Sequence, residues 1–311
     1  MPHSPKKRLL NIFLFSLVAF GLYGSLSAQN ANPLQTPVYG SMREALAAEN
    51  NVKQLNLRDQ HVFQISDSIA QLKDLRFLNL MGNNLEDWNE NLFTLKKIEV
   101  LNLMLNSLKY VPEDIGKLKK LVRLNLSNNE IAELPNEISK LKDLRFLHLS
   151  FNYITFIPEE IEKCKSLEVL ELDNNQLSTL PDSFFKLKNL KSLGLGYNQF
   201  NEFNETWTQL KKLEELNMEF NQLQNFPKAI GSLHNLKSLI LNDNKLKTLP
   251  ESITQLESLE LLILTNNKLK QLPEHLEDLK NLKTLILIGN PIAASEKERI
   301  KSLLPNCSIY F

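Results

Sequence analysis

An uninterrupted 23-residue repeat constrains this chain more than any other feature of its sequence. Eleven units begin with an aliphatic residue, from Val52 to Leu282, and no insertion separates them. Counted from that residue, the fourth position is leucine in every unit, and the sixth is leucine everywhere except at Met218. Since one such unit cannot bury its apolar side chains alone, neighbouring units must stack and share a core.

Each unit divides into a strand-like half and a turn-like half. The leucines at positions four and six alternate with other residues, which is the period of a strand with one buried face. In the second half, Leu134, Ile138 and Leu141 follow helical spacing, and Pro135 disfavours a strand. We therefore predict a strand followed by a short helical or 3₁₀ turn in each unit.

A polar residue recurs among these apolar ones. The ninth position is asparagine in ten units, including Asn152, and is Gln60 in the first unit. An asparagine amide has two donors and two acceptor lone pairs, so it can bond backbone groups where the chain turns inward. A buried polar group is tolerated when it is bonded in this way. The sequence therefore predicts a structural role for Asn152 and its equivalents.

The full pattern, L-x-x-L-x-L-x-x-N-x-L-x-x-L-P-x-x-I-x-x-L-x-x, resembles the leucine-rich repeat family in its 23-residue LPxxI form. The resemblance covers residues 52–292, which we assign to a solenoid of eleven units. It implies an α/β solenoid, a curved horseshoe with a parallel sheet on its concave side and capped ends. Secreted bacterial members of the family have similar ends, so the resemblance favours the secreted bacterial type.

The segments outside the repeats have their own patterns. Residues 1–28 show the basic, apolar and small-residue order of a secretory signal peptide, with an uncleaved membrane anchor as the alternative. Residues 29–51 are predicted to be a linker and a capping helix, and residues 293–311 a C-terminal cap that ends in a strand. We expect capping boxes at both ends, formed by two Ser and Glu pairs: Ser41 with Glu44, and Ser295 with Glu298.

Composition and motifs argue against several functional classes. Lys plus Arg and Asp plus Glu each total 36, so no overall charge favours nucleic acid. No metal-binding or phosphate-binding motif is present, and we expect no cofactor. His148 and Ser150 share a strand face beside Glu171 and Asp173, but a sheet supplies no oxyanion hole. We therefore expect no catalytic residues and no enzyme, and we predict a contact between His148 and Glu171.

The outward face of the strands carries the candidate binding residues. The eighth position holds large apolar side chains in four of the middle units, although the leucine columns already fill the core. Exposed aromatic clusters usually mark contact surfaces. We predict that a partner is bound by Leu105, Arg123, Phe146, His148, Phe151, Tyr153, Glu171, Asp173, Tyr197, Glu219 and Phe220.

Two further features of this face stand out in the sequence. Gly194 and Gly196 predict a flat strip among the larger side chains. The fifth position changes from asparagine in the first four units to Ile240, Ile263 and Ile286 near the end. These β-branched residues would suit stacking or a second contact.

The sequence thus favours a non-enzymatic protein-binding module that recognises a protein or peptide on its concave face. With the signal peptide removed, we expect a secreted, periplasmic or cell-surface protein without a membrane-inserted segment. Two alternatives stay open. One is a structural or adhesive envelope component, and the other is an intracellular signalling scaffold similar to the Ras-group class of leucine-rich repeat proteins, against which the signal-like N-terminus argues.

Overall fold

A computed structural model describes residues 36–48 and 51–311. The predicted signal peptide lies outside these residues. Within the described ranges, no helix combines the length and the apolar character that crossing a membrane would require. The residues from Val38 to Phe311 form one compact unit.

The described residues form one parallel sheet whose thirteen strands follow chain order. The strands are β1 (Val38–Tyr39), β2 (Gln54–Asn56), β3 (Phe77–Asn79), β4 (Val100–Asn102), β5 (Arg123–Asn125), β6 (Phe146–His148), β7 (Val169–Glu171), β8 (Ser192–Gly194), β9 (Glu215–Asn217), β10 (Ser238–Ile240), β11 (Leu261–Ile263), β12 (Thr284–Ile286) and β13 (Ser308–Tyr310). From β2 to β12, each residue pairs with the equivalent residue of the next unit, as Leu147 does with Leu170. This open sheet confirms the predicted repeat solenoid. The sequence analysis did not predict β1.

The second half of each of the first ten units forms the predicted 3₁₀ turn, whereas the eleventh unit leads into an α-helix. These turns are Asp67–Gln71, Glu90–Thr94, Glu113–Lys117, Asn136–Lys140, Glu159–Lys163, Asp182–Lys186, Glu205–Gln209, Lys228–Ser232, Glu251–Gln255 and Leu276–Asp278. Where proline precedes the turn, its ring fixes the φ angle of the capping residue, as at Pro158 with φ −64°. The apolar residues of the turns pack against the leucines of the strands, so one core runs through all the units.

The asparagine column has the predicted structural role. The Nδ2 group of Asn152 donates to the carbonyl oxygens of Leu126 and Leu149, at 3.0 and 2.9 Å. Its Oδ1 atom accepts from the N–H group of Ile131 at 3.0 Å. Leu149 belongs to the same unit, whereas Leu126 and Ile131 belong to the preceding one. Each buried amide therefore joins two units.

The N-terminal cap contains half of the predicted capping box. Helix α1 (Met42–Ala47) begins after Ser41, whose side chain accepts from the N–H group of Glu44 at 3.2 Å. The Glu44 carboxylate accepts from Gly40 at 3.2 Å, one residue before the N-cap. The helix start is thus anchored on both sides of Ser41.

The predicted capping box at the other end is wrong. Helix α2 (Ala294–Leu303) begins one residue before Ser295, so its N-cap is Ala293, which makes no side-chain capping bond. Glu298 instead pairs with Lys301 at 2.9 Å. The predicted final strand is present as β13, which pairs with β12.

Replacing Asn152 with alanine is expected to destabilise the fold strongly. The change leaves two buried carbonyl groups and one buried N–H group without partners, so the free energy of unfolding should fall by about 3 kcal/mol. Urea unfolding of the variant provides the measurement. Asn201→Ala, at an exposed position, is the matched control and should change this free energy by less than about 0.5 kcal/mol. Equal effects of the two changes would contradict the structural role.

Candidate binding surface on the concave face

The backbone after each strand is held in a left-handed conformation. The eighth residue of every unit has a positive φ angle, between 49° and 81°. Asparagine, aspartate and glycine adopt this conformation at little cost, and they occupy the position in seven units. The conformation is fixed by the sheet: the N–H group of Phe151, for example, donates to the carbonyl oxygen of Asp173 at 2.9 Å.

Four units place bulky apolar residues in this unfavourable conformation. They are Leu105, Phe151, Tyr197 and Phe220. A left-handed conformation costs such a residue roughly 1–2 kcal/mol. Phe151 and Leu105 are nevertheless 48% and 44% exposed, so burial offsets this cost less than it would in the core. The sequence analysis identified these residues but did not predict their strained backbone. The asparagine, aspartate and glycine residues at the eighth position of the other units are the signal that could have indicated it.

Four of the predicted aromatic contact residues fall into two groups along the sheet. In the fifth unit, Phe151 and Tyr153 are both exposed. In the seventh and eighth units, Tyr197 stacks on Phe220, with ring centroids 4.2 Å apart and planes 14° from parallel. Partial burial, together with Glu219 and Asp243, raises the pKa of Tyr197. The stacked pair presents one continuous aromatic surface.

The ring of Phe146, another predicted contact residue, already contacts two arginine side chains of the protein. The guanidinium carbon of Arg123 lies 4.3 Å from the centroid of its ring, and that of Arg145 lies 5.3 Å away. These cation–π contacts cover the half-buried ring. A partner would therefore meet the two arginines as well as the edge of Phe146.

The predicted contact between His148 and Glu171 is present. The Nδ1 atom of His148 lies 2.7 Å from a carboxylate oxygen of Glu171. His148 is only 6% exposed, so it lies beneath the surface on which the sequence analysis predicted it to contact a partner. Burial alone would raise the pKa of Glu171, but the bond from His148 and the charges of His148 and Arg123 lower it.

Asp173 fills the space that the two glycines leave open. Its carboxylate accepts from the N–H group of Gly196 at 2.8 Å and from the side chains of Asn217 and Ser150 at 3.1 and 3.4 Å. A Cβ atom at Gly194 would lie 2.1 Å from this carboxylate. The expectation of a flat strip is therefore wrong, since the glycines make room for a polar side chain. Burial, with smaller contributions from Glu171 and Glu219, raises the pKa of Asp173 to about 7.

Amide and carboxylate groups continue the network toward the C-terminal units. Glu219 accepts from Asn217 at 3.3 Å and from Asn242 at 3.0 Å. Asp243 accepts from Asn242 at 3.0 Å and from Asn266 at 2.8 Å. The network positions several carboxylates beside the stacked pair of Tyr197 and Phe220. In units six to nine, no lysine or arginine occupies positions three, five, seven and eight, which lie on the concave face.

The side chains of His148 and Ser150 make separate contacts with two carboxylates. Ser150 bonds to Asp173, while His148 bonds to Glu171, so the two side chains belong to separate contacts. Within residues 36–48 and 51–311, no group of three or more His, Cys, Asp and Glu side chains is arranged to hold a metal ion.

Comparisons with known proteins agree with this architecture. A leucine-rich repeat model matches residues 96–154 and 234–292, and the model of a leucine-rich repeat region matches residues 133–226. No curated protein matches the chain significantly.

Three solved structures illustrate the likeness. A leucine-rich repeat protein of Leptospira interrogans is 31% identical, with 89% of this chain and 100% of that chain covered and a TM-score of 0.45. A TDR receptor is also 31% identical, with 84% and 47% covered and a TM-score of 0.75. PEPR1–AtPEP1 is 28% identical, with 73% and 37% covered and a TM-score of 0.62. The present chain thus spans about half the length of the TDR receptor.

Replacing Phe151 with asparagine should stabilise the protein. Asparagine tolerates the left-handed conformation, so the free energy of unfolding should rise by about 1 kcal/mol. Urea unfolding measures the change. Asn174 holds the same position in the next unit, so the reverse substitution, Asn174→Phe, should lower the free energy of unfolding by a similar amount. A loss of stability in Phe151→Asn would show that the ring contributes more to packing than its conformation costs.

Asp173 should make stability depend on pH. Its folded-state pKa of about 7 exceeds the ordinary value of 3.8, so protonation favours folding. The contribution is fully present below about pH 4 and is lost as the pH rises through about 7. Relative to Asp173→Asn, the wild type should therefore lose stability between about pH 4 and about pH 7.

Urea unfolding at both pH values measures this difference. Glu133→Gln, an exposed carboxylate outside the surface, is the control and should follow the wild-type profile. A constant difference between the wild type and Asp173→Asn would contradict the raised pKa.

Proposed function

The chain belongs to the leucine-rich repeat family, and from this premise we propose that it is a non-enzymatic module that binds a protein or peptide on its concave face. The observation that carries the proposal is the strained and exposed eighth position. Leu105, Phe151 and Phe220 combine an unfavourable backbone conformation with solvent exposure. Strained residues of this kind cluster at ligand-binding sites, where they contribute to function rather than to stability.

Aromatic side chains are effective anchors at such a surface. They bury a large area with little loss of conformational freedom, and truncating one anchor often costs about 2 kcal/mol or more of binding free energy. The stack of Tyr197 on Phe220 fixes both rings before a partner arrives. Phe151 and Tyr153 supply a second anchor group two units away.

The carboxylates around these rings define the preferred partner. Glu171 and Glu219 remain partly exposed, and their neighbours hold them in place through hydrogen bonds. A negatively charged surface steers a positively charged partner and rejects a negatively charged one. The partner is therefore a protein or peptide with a basic contact surface.

The comparisons support binding as the type of function. One relative is named as a receptor, and another structure is that of PEPR1–AtPEP1. We further propose that binding occurs outside the cytoplasm, in a secreted, periplasmic or cell-surface protein. This part rests on the signal-like order of residues 1–28.

The double variant Phe151→Asn with Phe220→Asn tests the proposal. Both changes install a residue that suits the backbone, so the fold should remain stable while partner capture falls at least about tenfold. Quantitative mass spectrometry of proteins crosslinked to the full chain in its native setting provides the measurement. Phe63→Asn, at an exposed phenylalanine away from the concave face, is the matched control and should retain capture. Full capture by the stable double variant would rule out the concave site, as expected for a purely structural component.

A further inference from the structure

Where the fifth position of a unit is asparagine, its side chain satisfies a backbone N–H group of the concave face. The side chain of Asn79 accepts from the N–H group of Met81 at 3.1 Å, and that of Asn217 accepts from Glu219 at 3.0 Å. The same bond forms in the first, third and fourth units, from Arg58, Met104 and Ser127. In these units the N–H group of position seven is therefore satisfied within the protein.

The last three units lack this bond because isoleucine replaces asparagine. With Ile240, Ile263 and Ile286 at position five, the N–H groups two residues later have no side-chain acceptor. Across the described part of the chain, the N–H groups of Asn242, Thr265 and Ile288 make no hydrogen bond. Three neighbouring strands thus present an aliphatic side chain beside an open backbone donor.

This apolar strip extends to the last strand. Ile286 pairs with Tyr310 of β13, and Tyr310 is exposed, as is Ile288 at position seven of the same unit as Ile286. Ile240 is buried, at 7% exposure, and Ile263 and Ile286 are half-buried, so the exposed part of this row is centred on Ile288 and Tyr310. Exposed apolar side chains that continue a row on one sheet face indicate a contact surface. We call Ile240, Ile263, Ile286, Ile288 and Tyr310 the isoleucine strip.

Acidic side chains lie beside the isoleucine strip. Units six to nine carry carboxylates at their concave positions: Glu171, Asp173, Glu215, Glu219 and Asp243. These concave positions hold no lysine or arginine. The sheet face therefore has an acidic half and an aliphatic half, and it repels a nucleic acid or another polyanion.

We propose that one extended segment of a partner protein lies across strands β7 to β13, with basic side chains over the acidic half and aliphatic side chains over the isoleucine strip. This inference rests on the proposed function and specifies its ligand. Backbone carbonyl oxygens of the segment accept from the open N–H groups of Asn242, Thr265 and Ile288. A polypeptide supplies such acceptors at every residue, together with both kinds of side chain.

The size of the surface sets the length of the bound segment. Neighbouring strands lie about 4.8 Å apart, so the six intervals from β7 to β13 span roughly 29 Å. An extended chain rises about 3.3 Å per residue, so roughly nine residues cover this distance. The bound segment is thus a peptide of about nine residues with a basic half and an aliphatic half.

Peptide display tests the composition of this segment. A library of random nonapeptides is selected on the purified full chain, and the enriched sequences are synthesised for fluorescence anisotropy. We expect lysine and arginine in one half of these peptides and isoleucine, leucine or valine in the other. Their binding should weaken as salt is added, because the carboxylates are partly exposed.

Substitutions in the isoleucine strip test the geometry. Changing Ile240, Ile263 and Ile286 together to asparagine reproduces the early units, closes the open donors and should preserve the thermal stability. Binding of the selected peptides should fall at least about tenfold. The matched control changes the same three residues to valine, which keeps both the aliphatic surface and the open donors, and it should retain binding.

The outcomes separate this inference from the proposed function. Enriched peptides that lack the two-part composition, yet require Phe151 and Phe220, would overturn the inference and leave the proposed function standing. Equal loss of binding in the asparagine and valine variants would also overturn it. Peptides that bind regardless of both sets of variants, or a selection without enrichment, would count against both.

Discussion

The asparagine amide that bridges two units is the interaction on which the rest of the structure depends. Asn129 shows its geometry, with Nδ2 donating to the carbonyl oxygens of Leu103 and Leu126 at 3.0 and 2.9 Å and Oδ1 accepting from Leu108 at 3.0 Å. Because these groups are buried, water cannot replace the amide without reopening the core. An inserted residue would displace the amide from both units. This explains why eleven units keep a period of 23 residues.

The same bridge requires the strained backbone conformation found on the proposed binding surface. The chain must turn inward directly after the strand to deliver the ninth residue, so the eighth adopts a left-handed conformation in every unit. The structure requires only this backbone conformation at the position, and asparagine, aspartate or glycine provides it at the lowest cost. Phe151 and Phe220 depart from that optimum, although neither is buried. The backbone conformation does not account for these two aromatic residues, which is why we propose that they contact a partner.

Features that recur in every unit could be predicted from the sequence, and features of single units mostly could not. The strands, the 3₁₀ turns and the role of Asn152 follow from signals repeated along the chain. The contact of His148 with Glu171 also follows, because equivalent positions of adjacent strands must meet. The cation–π cover of Phe146 and the insertion of Asp173 beside Gly194 depend on side-chain conformations between two particular units. No periodic signal reports such contacts.

The hydrogen bonding of the concave face also changes along the length of the solenoid. In the first four units, the side-chain oxygen of asparagine at position five accepts from the N–H group two residues later, so that backbone donor is satisfied within the protein. The bond is already absent at His148 in the fifth unit, and at Ile240, Ile263 and Ile286 an aliphatic side chain takes the place of the asparagine. Replacing asparagine with isoleucine leaves these backbone N–H groups without an acceptor inside the protein, while the leucine core stays unchanged. Under our proposal, an extended partner would supply both the acceptors for these N–H groups and apolar side chains for the isoleucines.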